Sequence, residues 1–202
     1  MANADLLLYL AHGLFWSAFG ATRVALRSRN SADAPAAATP ERSGQAEEEA
    51  PYSRLVLGFH MVAFAVMYFG IGNAVIPNRV PVWFAGQRVT GALIIACGAA
   101  LSCAALVCFR SWRFRAALDQ DHELATAGPF RVIRHPIYMA LNLLALGSAI
   151  WVPTAVMWVA VVLMVAGGDL RARAEEKLLE RVFGRAYSEY RARTRRFIPA
   201  IY

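Results

Sequence analysis

The sequence predicts an all-α membrane protein, a polytopic helical bundle of five transmembrane helices that ends in a C-terminal helical hairpin. Hydrophobic residues make up 58% of the 202 residues and charged residues only 17%. The mean hydropathy is positive. Long apolar runs recur along the chain, and basic residues cluster at their ends. This pattern is typical of a small integral membrane protein, and the length favours a single membrane domain, residues 1–202.

Three predicted spans lie within residues 1–120. A polar segment at 29–53 separates the first from the second and carries several prolines and an acidic run. This segment has little apolar surface to bury, so we expect a flexible loop there. The three spans are residues 6–26, 55–76 and 89–109.

The helical hairpin is predicted within residues 121–202. Two apolar runs, 137–152 and 154–170, are separated by Pro153. Each is slightly shorter than the ~20 residues that a span needs, so flanking turns must complete both helices. Apolar residues continue at helical spacing to Phe183, so the fifth helix is expected to extend beyond its apolar run.

Nearly all basic residues fall on one side of the predicted bundle. The chain has 21 Lys and Arg residues. All of them except Arg79 and Arg88 lie in or beside the first loop, the third connection or the C-terminal segment. The positive-inside rule predicts an outside N-terminus and a cytoplasmic C-terminus, as in a multi-pass protein of a bacterial inner membrane. We attribute the net charge of +7 to topology and to contact with membrane lipids, and expect no nucleic-acid partner.

The cysteines Cys97, Cys103 and Cys108 all lie in the third predicted span. Their spacing fits neither a zinc site nor a disulfide framework. We interpret them as small packing residues and predict no metal site.

Residues 128–138 form the densest polar segment between two apolar runs. Pro129 and Pro136 each disfavour helix in the preceding residue, which predicts an irregular connection at the membrane surface. Two interpretations remain open. One is a positively charged cytoplasmic loop, and the other is a site for a charged ligand that bears an aromatic group.

An arginine and two carboxylates stand on the extended fifth helix. Arg171 and Glu175 are four residues apart and share one helix face, where an ion pair stabilises a helix by about 0.2–0.5 kcal/mol. Alternatively, Glu175 and Glu176 at the bilayer edge can receive an ammonium group or ribose hydroxyls.

Two groups of motifs lie on either side of the predicted hairpin. They are His122-x-Leu124, Gly128-x-Phe130 and Arg134-His135-Pro136-x-Tyr138, then Glu175-Glu176, Phe183-Gly184, Tyr187 and Tyr190. Together, over about residues 121–199, they resemble the isoprenylcysteine carboxyl methyltransferase family. Phospholipid methyltransferases are similar through the same region. Because both halves occur in order around a hairpin, the combination is specific.

The resemblance implies an integral membrane enzyme that transfers a methyl group from S-adenosylmethionine to a lipophilic acceptor entering from the bilayer. The implied reaction is most like protein-S-isoprenylcysteine carboxyl O-methylation. The implied cofactor pocket lies on the cytoplasmic side, within residues 121–202. Its cofactor-binding residues would be His122, Glu123, Leu124, Ala125, Phe130, His135, Tyr138 and Glu175. The implied catalytic residues are Arg171, which would bind the acceptor, and His135.

The implied chemistry is an in-line displacement at a sulfonium carbon. A carboxylate acceptor then needs position and desolvation more than a base. His135 either orients the cofactor or serves as a base for an amine or thiol, and both roles stay open. Phe130 stands where the family usually has tyrosine. Phenylalanine would still stack on adenine, but it lacks the hydroxyl group and the contact that this group would make.

Three other functions remain open. The first is a phospholipid-type N-methyltransferase. The second is an enzyme like the sterol reductases of membranes, which use NADPH and also carry an Arg-His-Pro motif on a longer chain. The third is a non-catalytic membrane partner protein. The combination of His135, Tyr138 and Glu175 argues against the third, because a pocket without a ligand would not need all three.

Overall fold

The computed structural model describes residues 4–32, 48–49, 53–108, 117–118 and 124–202. Within these ranges the chain is almost entirely helical, which confirms the predicted all-α class. The helices are α1 Leu7–Ala32, α2 Ser53–Val75, α3 Gln87–Cys108, α4 Pro136–Trp151, α5 Ala155–Phe183 and α6 Arg185–Arg193. Short 3₁₀ turns cover Ala4–Leu6 and Gly128–Arg131. The two-residue strands β1 Glu48–Glu49 and β2 Ala117–Leu118 pair antiparallel.

Three of the described helices, α2, α3 and α5, are long and apolar enough to cross a membrane. Helix α4 is apolar but has only 16 residues. Helix α1 has 26 residues and a more polar composition. Helices able to span a membrane are therefore present, and the count of five spans stays a prediction.

The hairpin and the long fifth helix are both confirmed. Pro153 lies in the turn between α4 and α5, and the Thr154 hydroxyl accepts a hydrogen bond from the amide of Met157 to begin α5. Helix α5 runs past the apolar region to Phe183 and ends at Gly184, which has a φ of 49°. Glycine adopts such a positive φ without a steric penalty.

Helix α1 extends to Ala32, beyond the predicted end at residue 26. The loop predicted at 29–53 thus begins within a helix. Apart from strand β1 and the first residue of α2, the remainder of that loop lies outside the described residues.

The first five helices alternate in direction. Gly70 near the end of α2 lies beside Met157 at the start of α5, whereas His60 near the start of α2 contacts Met164. These contacts make α2 and α5 antiparallel. Helix α3 is likewise antiparallel to α4, because Gly91 faces Trp151 and Gly98 faces Ala140.

Helices α3 and α4 approach most closely at a pair of glycines. A Cβ atom on Gly91 would lie 2.6 Å from the carbonyl oxygen of Gly147, and one on Gly147 would lie 2.7 Å from the carbonyl oxygen of Gly91. Only glycine permits the two backbones to come this close, as small residues do at helix crossings in membranes.

Buried polar contacts connect the helices away from the predicted site. Asp5 accepts hydrogen bonds from Nε and Nη2 of Arg88 at 2.6 and 2.9 Å, and from Nε1 of Trp151 at 2.9 Å. This cluster joins the N-terminus to the start of α3 and the end of α4. Deeper in the bundle, His12 of α1 bonds to Ser148 of α4 at 2.8 Å and to Tyr68 of α2 at 3.1 Å.

Candidate cofactor and active site

Residues 128–135, which precede α4, form a 3₁₀ turn and an irregular stretch, as predicted for this part of the connection, and they are held by the C-terminal segment, residues 194–202. Ile133 forms a parallel bridge with Arg195. The amide of Arg134 donates to the carbonyl of Arg195 at 2.7 Å, and the amide of His135 donates to the carbonyl of Arg196 at 3.1 Å. These bonds replace the helical bonds that the prolines prevent. They fix the residues that precede α4.

The predicted residues His135, Tyr138 and Glu175 come together where α4 begins and α5 leaves its apolar region. Nδ1 of His135 lies 3.5 Å from Oε2 of Glu175. The Tyr138 hydroxyl donates a hydrogen bond to the Glu175 carboxylate. The two rings stack with centroids 5.7 Å apart. The motif before the hairpin and the carboxylate after it therefore form one group, as the resemblance implies.

Glu176 lies beside this group and is surrounded by cations. Its carboxylate accepts hydrogen bonds from Arg134 Nε at 3.0 Å, from Arg196 Nε at 3.1 Å and from Arg196 Nη2 at 2.7 Å. Nε2 of His135 lies 3.4 Å from Oε1 of Glu176. The Glu176 side chain is 5% exposed, whereas the Glu175 side chain is 22% exposed. Glu175 is thus the more accessible carboxylate for a ligand, and Glu176 holds three chain segments together.

The carboxylates control the charge of His135. Burial disfavours the imidazolium, but the hydrogen bonds and charges of Glu175 and Glu176 outweigh burial and raise the pKa of His135 above its ordinary value. The Glu176 carboxylate also raises the pKa of Arg196. The site therefore favours a positively charged His135.

Arg171 lies on the other side of Tyr138. Its residue is 5% exposed, and its Cζ atom is 4.9 Å from the centroid of the Tyr138 ring. This is a cation–π arrangement. Because Arg171 is buried, it is not an exposed helix-surface residue. It occupies a place between the Glu175 group and the apolar part of the bundle.

The remaining predicted cofactor residues lie elsewhere in the connection. Phe130 is buried in an apolar cluster with Phe19, Ala105, Leu106 and Ile137, against which Ala125 also packs. The carbonyl of Phe130 accepts a hydrogen bond of 2.8 Å from the Tyr190 hydroxyl. Leu124 is half-buried. His122 and Glu123 fall outside the described residues.

Sequence reasoning missed several residues that build the site. Arg134 was noted only within a motif, and Arg196, Asp169 and Tyr202 were not singled out. Arg196 Nη1 donates to Asp169 Oδ1 at 3.0 Å and to the Tyr202 hydroxyl at 2.6 Å. The available signal was the excess of arginine in the C-terminal segment facing a few carboxylates on α5. That excess does not indicate which arginine pairs with which carboxylate.

The arrangement presents opposite charges at two positions. Glu175 is placed to bind a cationic group or hydroxyls, and Arg171 is placed to bind an anion. Tyr138 contacts both. Among the described residues, no group of three or more His, Cys, Asp or Glu side chains is placed to hold a metal ion.

Comparison with known proteins identifies a family for this region. No curated protein matches the chain. Residues 87–186, about half of the chain, match the family model described as phospholipid methyltransferase. The matched region runs from α3 to the start of α6 and contains His135, Tyr138, Arg171 and Glu175. The resemblance predicted from the motifs is thereby confirmed, and the chain belongs to the phospholipid methyltransferase-like family of membrane methyltransferases.

Proposed function

We propose that the protein is an S-adenosylmethionine-dependent methyltransferase whose lipophilic acceptor enters from the bilayer. The observation that carries this proposal is the meeting of His135, Tyr138 and Glu175 beside the buried Arg171, at the point where the apolar helix α5 becomes polar. A water-soluble cofactor and a lipid-soluble acceptor have to meet at such a boundary.

The residues fit the cofactor. Nε2 of His135 is buried and lies 3.4 Å from Oε1 of Glu176, a long contact that leaves it able to bond a ligand, and the Glu175 carboxylate is partly exposed. Glu175 would bind the ammonium group or the ribose hydroxyls, while His135 and Tyr138 would orient the ligand. The connection would contribute Leu124, Ala125 and Phe130, together with His122 and Glu123. When bound, the cofactor supplies an electrophilic methyl group on a sulfonium centre.

The remaining task of the chain is to position the acceptor. The guanidinium of Arg171 would hold an anionic group with two parallel hydrogen bonds. Arg171 is 5% exposed, and exclusion of water from the site strengthens each polar contact there. The carboxylates that raise the pKa of His135 favour its protonated form, which cannot accept a proton. Orientation of the ligand is therefore the role that we assign to His135.

Two acceptor classes follow from Arg171. The first is the carboxylate of an isoprenylcysteine, which needs no base and matches a planar guanidinium. The second is a phospholipid, whose phosphate would bind Arg171 and whose amine would be methylated. The family match favours the second class. The proposed site is on the cytoplasmic side of a bacterial inner membrane.

Methyl transfer from labelled S-adenosylmethionine tests both acceptors. Purified protein in lipid nanodiscs would be given either a farnesylated cysteine derivative with a free carboxyl group or an aminophospholipid. Label released by mild base identifies a methyl ester, whereas base-stable label identifies an N-methyl product. Binding of NADPH, with no binding of S-adenosylmethionine, would favour the reductase alternative and overturn the proposal.

A further inference from the structure

Two buried polar side chains lie on the bilayer side of Tyr138 and Arg171. His60 of α2 is 0% exposed and Asn142 of α4 is 8% exposed. Among the side chains that the structure describes, neither Nδ1 of His60 nor Oδ1 of Asn142 has a hydrogen-bond partner. An unsatisfied polar group within apolar helices is costly, and such residues commonly mark a ligand site.

The chemistry of both atoms is that of acceptors. Nε2 of His60 lies 2.9 Å from Sδ of Met164. A thioether has no hydrogen to donate, so Nε2 carries the proton and Nδ1 is left with a free lone pair. Oδ1 of Asn142 is also an acceptor. Both atoms would be satisfied by a group that brings N–H or O–H donors.

The two side chains flank the same part of the proposed site. The ring centroids of His60 and Tyr138 are 6.2 Å apart. Asn142 comes four residues after Tyr138, so both lie on the same face of α4. A Cβ atom on Gly167 would lie 3.5 Å from Cγ of His60, and one on Gly168 would lie 3.6 Å from Oδ1 of Asn142. This glycine pair is one helical turn before Arg171. The two acceptors and the guanidinium thus lie beside the same two turns of α5.

The other described histidine within the bundle provides a contrast. His12 is also buried, but its two ring nitrogens bond to Tyr68 and Ser148. The fold therefore satisfies an intramembrane histidine where its role is structural. His60 is left with an open lone pair beside the site.

We propose that His60 and Asn142 form an acceptor subsite that selects lipophilic molecules with N–H or O–H donors at their polar end. The inference rests on the proposed function, since Arg171 would hold the anionic part of the same molecule. His60 lies outside the region matched by the family model. The proposal therefore adds a specificity-determining residue from outside the matched region.

A pair of matched probes tests the subsite directly. Dodecylamine and dodecyltrimethylammonium have the same chain length and charge, but only the first has N–H donors. Each would be titrated into protein with ¹⁵N-labelled histidine in phosphatidylcholine nanodiscs, with the His60 signal assigned from a His60→Phe variant. We expect dodecylamine to shift the Nδ1 resonance of His60 and dodecyltrimethylammonium to leave it unchanged. Equal shifts from both probes, or none from either, would overturn the subsite.

The Asn142→Leu variant provides the second measurement. Loss of one hydrogen bond to a buried group should weaken dodecylamine binding on the order of tenfold. The control Met61→Leu, on the outward face of α2, should bind as the wild type does. Unchanged dodecylamine affinity in Asn142→Leu would contradict the subsite. If Asn142→Leu does not fold, the contrast between the two probes in the wild type still decides the question.

The same preparations separate the two proposals. S-adenosylmethionine affinity is measured for the wild type and should be within about twofold in Asn142→Leu, since Asn142 lies one turn further along α4 than Tyr138, which bonds to Glu175. A wild type that binds dodecylamine selectively but neither binds S-adenosylmethionine nor transfers its methyl group would retain the subsite and refute the proposed function.

Discussion

Adjacent carboxylates on α5 have different tasks because their neighbours differ. Glu176 is buried among Arg134, Arg196 and His135, so its charge is fully compensated within the protein. Glu175 bonds to Tyr138 and keeps part of its carboxylate exposed. The same residue type thus organises the fold at one position and is available to a ligand at the next.

Substitution of Glu175 tests its assigned contact with the cofactor. Glu175→Gln retains the size of the side chain and removes its charge, so S-adenosylmethionine binding should weaken by about 1–3 kcal/mol. Titration calorimetry would measure this change. The control is Glu180→Gln, since Glu180 is a half-exposed residue of the same helix and pairs with Arg191. Wild-type cofactor affinity in a folded Glu175→Gln protein would remove Glu175 from the site.

Arg171 is expected to act on the acceptor more than on the cofactor. Arg171→Lys keeps the charge but loses the planar, two-pronged geometry, so turnover or acceptor affinity should fall by at least about tenfold while cofactor affinity changes little. Steady-state kinetics with varied acceptor would measure the effect. Arg173→Lys is the control, because Arg173 is 54% exposed and pairs with Asp169. Wild-type kinetics in both Arg171→Lys and Arg171→Ala would limit Arg171 to a structural role.

His135 should make stability depend on pH. Its pKa is raised in the folded protein. Its contribution to stability is therefore fully present below the unfolded-state pKa of about 6.5 and is lost as pH rises through the higher folded-state pKa. The free energy of unfolding should accordingly fall as pH increases above about 6.5. Denaturation of the wild type and of His135→Gln at several pH values would measure this slope, and an equal slope in both proteins would contradict it.

At the scale of elements, the crossing of α3 and α4 depends on the backbone contact between Gly91 and Gly147. A methyl group on Gly147 would also lie 2.8 Å from Cγ1 of Ile95. Neither helix backbone yields cheaply, since both atoms in close contact belong to the backbones of packed helices. This contact therefore sets the distance at which α4 presents the residues at its start.

Gly147→Ala should destabilise the protein by about 1–3 kcal/mol, the usual cost of overpacking. Thermal unfolding in one detergent would compare it with Gly58→Ala. A Cβ atom on Gly58 of α2 would meet nothing within 4 Å. The control should therefore be neutral or stabilised by about 0.5–1 kcal/mol, because alanine favours helix over glycine. If Gly147→Ala is as stable as Gly58→Ala, the backbone contact does not determine the crossing.

At the scale of the whole molecule, the helices alternate in direction, and the two ends of the bundle carry different groups of polar residues. One end carries the Asp5, Arg88 and Trp151 cluster. The other end carries the site, onto which the C-terminal segment docks through Arg195 and Arg196. Chain direction thus places the basic connection and the basic C-terminal segment together, as the charge distribution predicts.

Five spans with a cytoplasmic C-terminus are tested by cysteine accessibility. Arg79→Cys and Ile201→Cys would each be introduced after replacement of Cys97, Cys103 and Cys108 by alanine. Both positions are exposed. A membrane-impermeant thiol reagent added to intact cells should label Arg79→Cys only, because the positive-inside rule places Ile201 in the cytoplasm. Labelling of both positions from the same side would overturn the five-span topology.

The sequence by itself determined the helical class, the hairpin turn at Pro153 and the continuation of α5 to Phe183. Hydrophobic periodicity and the chemistry of proline and glycine are local, so they can be recognised without knowledge of the fold. The motifs also identified His135, Tyr138 and Glu175, which do come together. All three residues lie within the region that matches the family model.

The tertiary structure alone decided which charges meet. The sequence offers several arginines of the same chemistry, namely Arg134, Arg191, Arg195 and Arg196. Of these four, Arg134 and Arg196 bond to Glu176. Likewise, His12 and His60 are both histidines in apolar helices, and only packing shows that His60 keeps a free lone pair. Pairing depends on distances between segments far apart in sequence. Such distances follow from how whole helices pack, because no residue type specifies its partner.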